Sequence, residues 1–321
     1  MRRSLSIFNS NKLLLLMAKI AVFIVLLLVL DDVIGSVCEY FFFKTMDGDT
    51  GGQINGILRS ENELLIFGSS RAESHYVPSI FQKELGLSTY NCGFKGSNII
   101  YDYSLEQLVF DKYIPKIMIY DYSYITSKYM PDKNPYDTLY PMYPFYRNKK
   151  VFDLIKRRDK FEKYKFFSRI YPYNSKVHSI LIFNIFRSIR KSDRGYRPQF
   201  VSLPMTEKLS NIKSVKFDEV LVDRLIGFCD EAIKHKVRLF VCLSPRYKTG
   251  TYLIPERAER FIADHNIPII DFGLNTDKEF LDTTLFRDAN HLNDSGAKVF
   301  SKRLAVKLRE KFGVGSIRIG R

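Results

Sequence analysis

The chain has 321 residues, of which 45% are hydrophobic, and this is enough for one large domain or a domain with a sizeable insertion. Its net charge of +15 favours a nucleic acid, an anionic membrane surface or an acidic polymer as partner. Neither zinc-finger spacing nor an RNA-binding signature accompanies that charge, so nucleic acid ranks last among the three. The four cysteines lack metal-ligand spacing, and no metal or organic cofactor is predicted.

An apolar segment stands near the N-terminus. Residues 13–30 are apolar except for Lys19, and their number is close to the minimum for a membrane span. Basic residues precede the segment and acidic residues follow it, which predicts a cytoplasmic N-terminus and an extracytoplasmic remainder. The alternative is a cleaved signal peptide, but no good small-residue cleavage site follows. We therefore predict a single-pass signal anchor in residues 1–35 and a linker over 36–60.

Beyond the linker, buried strand patterns alternate with helical patterns. Strands are predicted at 64–67, 89–92, 117–120, 237–243 and 267–272, and helices at 77–85, 99–110, 217–236, 255–264 and 295–312. Such alternation predicts an α/β fold: a parallel sheet covered by helices on both faces, in a three-layer α/β/α (flavodoxin-like) arrangement. Catalytic groups in such folds collect at the carboxyl ends of the strands.

The alternation breaks over residues 127–205, which we interpret as an inserted cap. This block has 18 Lys and Arg against 6 Asp and Glu, so its net charge is +12, and it contains 17 of the chain's Phe and Tyr residues. Helices are predicted at 151–167 and 177–189. The flanking segments, 61–126 and 206–321, then form the catalytic domain. The excess of positive charge favours either an acidic polysaccharide or anionic lipid headgroups beside the cap.

Two separate motifs predict a serine-dependent acyl-group enzyme. Ser69 and Ser70 follow Gly68 at the end of the first predicted strand, and Asp288 stands three residues before His291, ahead of the last helix. Serine is a weak nucleophile that needs an adjacent base, and a carboxylate can orient the imidazole that serves as that base. Each motif alone is common in loops, but the combination in this order on this sheet pattern is not.

These residues resemble the SGNH/GDSL hydrolase superfamily. Gly68-Ser69-Ser70 is similar to its first motif, with Ser70 in the nucleophile position and Ser69 where Asp is usual. Asp288 and His291 match the last motif, and Gly96 aligns with the glycine whose backbone N–H binds the oxyanion. The resemblance covers roughly residues 62–126 and 215–312. It implies that Ser70, His291 and Asp288 form a triad and that the N–H groups of Ser70 and Gly96 stabilise the oxyanion.

One departure from the family pattern concerns a third oxyanion donor. The third motif of the family supplies an Asn side chain, whereas the third strand here ends in Asp121, and Ser123 follows shortly after. An ionised Asp121 would repel an oxyanion, and losing one donor costs roughly 100–1000-fold in rate. Ser123 or a tyrosine hydroxyl is an alternative donor.

Membrane-anchored members that share Gly-Ser-Ser and lack the Asn resemble accessory proteins of cell-envelope acylation, which work beside a membrane-bound O-acyltransferase. The resemblance implies an O-acyl esterase or transferase, with acetyl as the expected group, acting on an extracytoplasmic polysaccharide. The alternative is a catalytically weak protein that binds glycan or an acyltransferase. The acyl group, the sugar and the direction of transfer stay open.

Further polar residues fall on the predicted catalytic rim. Arg71 follows the nucleophile and either binds an anionic acceptor or braces a carboxylate. Arg246 follows the fourth strand, and with Arg71, Asp121 and Ser123 it is a candidate for substrate binding. His75 is either a second base or, with greater weight, a structural side chain.

Overall fold

We describe the protein from a computed structural model, which defines residues 10–46, 48, 52–122, 134–185, 192–201, 217–247, 253–272 and 278–314. Its helices are α1 Ser10–Lys44, α2 Gly52–Ser60, α3 Ser70–His75, α4 Pro78–Leu85, α5 Ile99–Phe110, α6 Lys149–Ile155, α7 Glu162–Lys165, α8 Val177–Ile185, α9 Glu219–Lys234, α10 Glu256–Asp264 and α11 Asp294–Phe312.

Five strands form one sheet whose neighbouring pairs are all parallel. They are β1 Leu64–Gly68, β2 Thr89–Asn91, β3 Ile117–Asp121, β4 Arg238–Leu243 and β5 Ile269–Asp271. Their spatial order is β2-β1-β3-β4-β5, which is the order of doubly wound α/β folds of the flavodoxin type. The predicted α/β fold class is therefore confirmed, and each strand end lies within two residues of its prediction.

Helices cover both faces of the sheet. Because alternate residues of a strand point to opposite faces, each strand contributes to two cores. Leu65 and Phe67 of β1 join a core that includes residues of α5 and α9. Leu64 and Ile66 join a second core that includes residues of α4 and α11. Burial on both faces explains why the strands read as continuous apolar runs.

Helix α1 has two parts that differ in surroundings. Residues 11–30 are exposed throughout, and the helix is long and apolar enough to cross a membrane. Further along, Cys38 and Phe42 are buried in the core next to the sheet. The segment 36–60 that the sequence presents as a linker thus contains the end of α1 and all of α2. The cluster of Gly and Asp residues at 47–52 reads as a turn, and no local pattern predicts α2. The buried side of α2 depends instead on contacts with distant residues.

The predicted cap is built differently from the sheet. The single helix predicted at 151–167 is wrong, because it divides into α6 and α7. The Asp159 carboxylate accepts the backbone N–H of Phe161 at 2.7 Å, a local hydrogen bond that competes with helix continuation. The Pro-rich stretch before α6 forms a 3-10 helix over Pro135–Phe145. Helix α8 begins at Val177 as predicted and is described to Ile185.

The second described part of the cap, residues 192–201, returns to the sheet domain. The Asn91 N–H at the end of β2 donates to the Arg194 carbonyl at 2.8 Å. The Arg197 N–H donates to the Glu73 carbonyl in α3, and the Asp294 N–H at the start of α11 donates to the Gln199 carbonyl. This segment therefore borders the carboxyl edge of the sheet.

Candidate active site

Gly68 sets the geometry of the turn that carries Ser70. Its φ of 137° lies where side chains are strained, and a Cβ there would stand 2.8 Å from the Asp121 carbonyl oxygen. Its N–H donates to the buried carboxyl group of Asp102 at 3.2 Å. Strand β1 therefore ends in a tight turn, and Ser70 begins α3 directly at the carboxyl edge of the sheet.

Ser70 and His291 meet although 221 positions separate them in the chain. The Ser70 Oγ lies 2.9 Å from His291 Nε2, and His291 Nδ1 lies 2.9 Å from Asp288 Oδ1. All three residues are half-buried, so solvent and substrate can approach the chain of hydrogen bonds. The arrangement brings a hydroxyl, an imidazole and a carboxylate into the order required to activate a serine.

A small antiparallel hairpin, β6 Phe286–Asp288 and β7 His291–Leu292, holds the carboxylate and the imidazole together. Asp288 Oδ1 also accepts the backbone N–H groups of Asn290 and His291, at 2.9 and 3.0 Å. Burial alone would raise the pKa of Asp288, but its hydrogen bond to the His291 ring and these two N–H groups lower it. The lowered pKa keeps Asp288 ionised beside the His291 ring. The sequence patterns did not predict this hairpin.

Arg246 and Tyr247 support the same loop from the end of β4. Arg246 Nε donates to Asn290 Oδ1 at 3.0 Å, and the Tyr247 N–H donates to the Ala289 carbonyl at 3.0 Å. The side chain of Arg246 is buried. Arg246 therefore lies on the predicted catalytic rim, where it contacts the Asp288–His291 loop.

Asp121 is withdrawn from the rim, contrary to the expectation that it contacts substrate. It is fully buried and accepts the Tyr76 hydroxyl at 2.8 Å and the Ser244 N–H at 3.2 Å. Arg71 Nε lies 3.7 Å from Asp121 Oδ2, and Arg71 also donates to the Tyr122 carbonyl. Burial raises the pKa of Asp121, while Arg71 and the hydrogen-bond donors oppose that rise.

The ion pair decides between the two interpretations of Arg71. Its side chain is buried and directed at Asp121, so it braces a carboxylate beneath the turn that carries Ser70. Asp121, which stands where the resemblance leads us to expect an Asn donor, faces the interior. Ser123, the alternative oxyanion donor, lies outside the described residues.

Gly96 lies in an exposed turn after β2, with a φ of 76°. A hydrogen bond connects this turn to the one that carries Ser70, because the Phe94 N–H donates to the Gly68 carbonyl at 3.1 Å. Gly93 permits a close approach, since a Cβ there would overlap the Glu73 backbone nitrogen in α3. Gly96 is thus on the same edge of the sheet as Ser70, and its role as an oxyanion donor stays a prediction.

His75 is a structural side chain, which is the interpretation that sequence analysis favours. Its ring is fully buried, and Nε2 accepts the Leu292 N–H of β7 at 2.9 Å. Burial lowers the pKa of His75 well below its usual value, as do the nearby His291 and Arg71. A neutral His75 therefore fixes the strand that carries His291.

Asp102, which accepts the Gly68 N–H, is a site residue that the sequence patterns do not predict. It lies within a helical pattern, and nothing in that pattern distinguishes it from other polar residues.

Among the described residues, no group of three or more His, Cys, Asp or Glu side chains is arranged to hold a metal ion.

No protein-family model and no curated protein sequence matches the chain. Similar solved structures include a protein described as a lipolytic member of the G-D-S-L family from Desulfitobacterium hafniense DCB-2. It is 11% identical with a TM-score of 0.37, over 76% of this chain and 99% of that one. The acetyl xylan esterase AlAXEase is 12% identical with a TM-score of 0.35, over 77% and 98%. The fold found here is the α/β fold expected from the SGNH/GDSL resemblance.

Proposed function

We propose that the protein is a serine O-acyl esterase or acyltransferase. The observation that carries this proposal is the continuous hydrogen-bond chain from Ser70 through His291 to Asp288, with 2.9 Å at each step. A serine, an imidazole and a lowered-pKa carboxylate in this order form the arrangement that acyl-transfer enzymes use on several unrelated folds.

In the proposed mechanism, Ser70 Oγ attacks the acyl carbonyl carbon while His291 Nε2 accepts the hydroxyl proton. The oxyanion that forms receives the backbone N–H groups of Ser70 and Gly96. His291 then returns the proton to the departing alcohol oxygen, which leaves an acyl-serine. Water or an acceptor hydroxyl attacks that ester with His291 again as base, and this restores Ser70. Asp288 stabilises the imidazolium in both halves of the reaction.

The proposed setting is the outer side of a membrane. Helix α1 serves as a single-pass anchor with its N-terminus in the cytoplasm, supported by seventeen exposed apolar residues and the charge asymmetry around them. The proposed substrate is an O-acylated, most simply O-acetylated, polysaccharide of the cell envelope, and a membrane-bound O-acyltransferase is a proposed partner. The cap's net charge of +12 supports an acidic polymer.

A second candidate is a catalytically weak protein that binds glycan or an acyltransferase. It is favoured by Asp121, which occupies the position of the family's Asn donor yet is fully buried. Such a site keeps the two proposed oxyanion donors, the backbone N–H groups of Ser70 and Gly96, but lacks the Asn side chain as a third. Loss of one oxyanion donor lowers the rate by roughly 100–1000-fold.

The deciding experiment compares Ser70→Ala with Ser69→Ala in the purified full-length protein. Ser69 is a matched control because its side chain makes no capping hydrogen bond. We expect Ser70→Ala to abolish both fluorophosphonate labelling and hydrolysis of 4-nitrophenyl acetate, while Ser69→Ala retains both. Equal labelling of the two variants would reject the nucleophile. If the unaltered protein is neither labelled nor active, the binding function is favoured instead.

A further inference from the structure

Residues 156–167 of the cap form a surface loop that is both basic and aromatic. Phe161, Tyr164 and Phe167 are exposed, and Phe167, at 85%, is the most exposed large apolar side chain of the described chain. The loop has six Lys and Arg residues against two acidic ones, so its net charge is +4. Lys160 and Lys163 each lie 4.9 Å from an aromatic ring centroid, those of Phe161 and Tyr164.

The two residues that follow the loop bind α1. The Ser168 hydroxyl and the Arg169 N–H each donate to the Asp31 carboxylate at 2.6 Å, and Arg169 Nη1 lies 2.6 Å from Asp32. Gly35 permits this approach, because a Cβ there would stand 2.7 Å from the Arg169 backbone. The loop is therefore held beside residues 31–35 of α1.

That contact lies at the end of the apolar segment. Eighteen residues, 13–30, rise about 27 Å at 1.5 Å per residue, which is close to the ~30 Å thickness of bilayer hydrocarbon. Asp31 comes immediately after them and so marks the boundary between hydrocarbon and headgroups. Phe167 is adjacent in the chain to Ser168, which binds Asp31, so its Cα lies about 3.8 Å from that of Ser168.

Packing behind the loop keeps it in this position. The Phe166 ring lies 5.1–5.5 Å from those of Tyr143, Tyr146, Phe152 and Tyr171. The Glu162 carboxylate pairs with Arg158 and Lys165 and accepts the Tyr171 hydroxyl. These contacts turn Phe166 inward and leave Phe161, Tyr164 and Phe167 outward.

From this placement we propose that residues 156–167 are a second membrane contact, which docks on anionic phospholipid headgroups beside the anchor. Tyr favours the interface between hydrocarbon and water, Phe buries its ring at that boundary, and Lys and Arg are attracted to anionic lipid. The loop supplies both, at the depth that Asp31 defines. Together with α1, it fixes the orientation of the domain relative to the membrane. The inference rests on the proposed anchor.

The chain contains no tryptophan, so a Phe167→Trp substitution introduces a unique fluorescent probe at an exposed position. The full-length variant is placed in lipid nanodiscs that contain brominated phosphatidylcholine with phosphatidylglycerol. We expect emission at shorter wavelength than that of Phe200→Trp in the same nanodiscs, and quenching by the brominated chains. Phe200→Trp is the matched control, because Phe200 is 77% exposed but follows Gln199, which contacts α11. Its emission is expected to stay that of a solvated indole.

The charge contribution is tested by Lys160→Gln with Lys163→Gln in the Phe167→Trp background. Each lysine near an anionic surface is worth roughly fivefold in the docking equilibrium, so quenching should fall in anionic discs and change little in neutral ones. Quenching that is equal for the two probes, or absent for Phe167→Trp in discs that hold the protein, would overturn the proposal while leaving the anchor intact. Failure of the full chain to enter nanodiscs would overturn the anchor and this inference together. Protection of the probe only after an acidic polysaccharide is added would also overturn it, in favour of a glycan surface.

Discussion

The sheet domain and the cap stabilise their charged groups in different ways. Around the candidate site, Asp102, Asp121 and His75 are buried, and each is held by a backbone N–H from a strand or turn. In the cap, charges such as Lys156 and Asp153 stay at the surface in exposed pairs. The cap also buries the Glu162 carboxylate, but there the side chains of Arg158, Lys165 and Tyr171 hold it, whereas strand ends supply backbone donors. We therefore expect substitutions beneath the candidate site to cost more stability than substitutions in exposed pairs of the cap.

The largest expected effect is at Asp288. Asp288→Asn leaves the size of the side chain unchanged but removes the charge that orients His291, so we expect kcat to fall by about 10⁴-fold. Steady-state hydrolysis of a soluble acetyl ester provides the measurement. In the cap, Asp153→Asn should leave kcat unchanged. A loss below tenfold at Asp288 would exclude the proposed orienting role.

The second prediction concerns how the stability of the protein depends on pH through one carboxyl group in each region. Burial raises the pKa of Asp102 to about 8, although the Gly68 N–H opposes this. The folded state therefore retains a proton that the unfolded state releases above pH ~4, so Asp102 costs stability as pH rises from ~4 to ~8, at about 1.4 kcal/mol per unit. Asp102→Asn should gain stability over the unaltered protein across that window.

The exposed cap carboxylate gives the opposite sign and serves as the control. The hydrogen bond from Lys156 lowers the pKa of Asp153, so its small stabilisation is present at neutral pH and is lost as pH falls through the folded pKa. Asp153→Asn should therefore lose a little stability at neutral pH and none in acid. Thermal unfolding of both variants between about pH 2 and pH 8 measures the two trends, because the Asp153 contribution is lost only below pH ~4. Parallel trends would contradict the contrast.

A third comparison removes one partner from an ion pair in each region. Asp121→Ala leaves Arg71 buried without its carboxylate, and we expect a loss of about 3–5 kcal/mol in the free energy of unfolding. Asp153→Ala breaks only the exposed pair with Lys156, which solvent screens, and should change the free energy of unfolding far less. Chemical denaturation provides both values. Similar losses at the two sites would show that the buried pair has no special weight.

The smallest effect tests the junction of the anchor with the cap. Gly35→Val places a side chain against the Arg169 backbone, and overpacking of this kind costs about 1–3 kcal/mol. Gly227→Ala in α9 is the control, since its Cβ would lie 3.4 Å from the Tyr103 ring and a helical Gly→Ala change gains roughly 0.5–1 kcal/mol. Melting temperatures should shift in opposite directions. An unchanged value for Gly35→Val would mean that the junction is loose.

The sequence alone determined the sheet and the three proposed catalytic residues. Continuous apolar runs identify strands that are buried on both faces, and Ser70 and the Asp288–His291 spacing remain visible because each lies next to such a pattern. The same local patterns failed for α2, α3 and the division at Asp159. There, structure depends on distant contacts or on a single side-chain hydrogen bond rather than on periodicity.

Only the tertiary structure decided how the remaining charges are used. Arg71 and Asp121 lie fifty positions apart, and their pairing beneath the turn that carries Ser70 follows from the register of β1 with β3. Arg169 reaches Asp31 across 138 positions, which places the basic loop beside the end of the apolar helix. A sequence records the charge of each residue, but the distance between two charges, which sets whether they pair or face solvent, exists only in the folded chain.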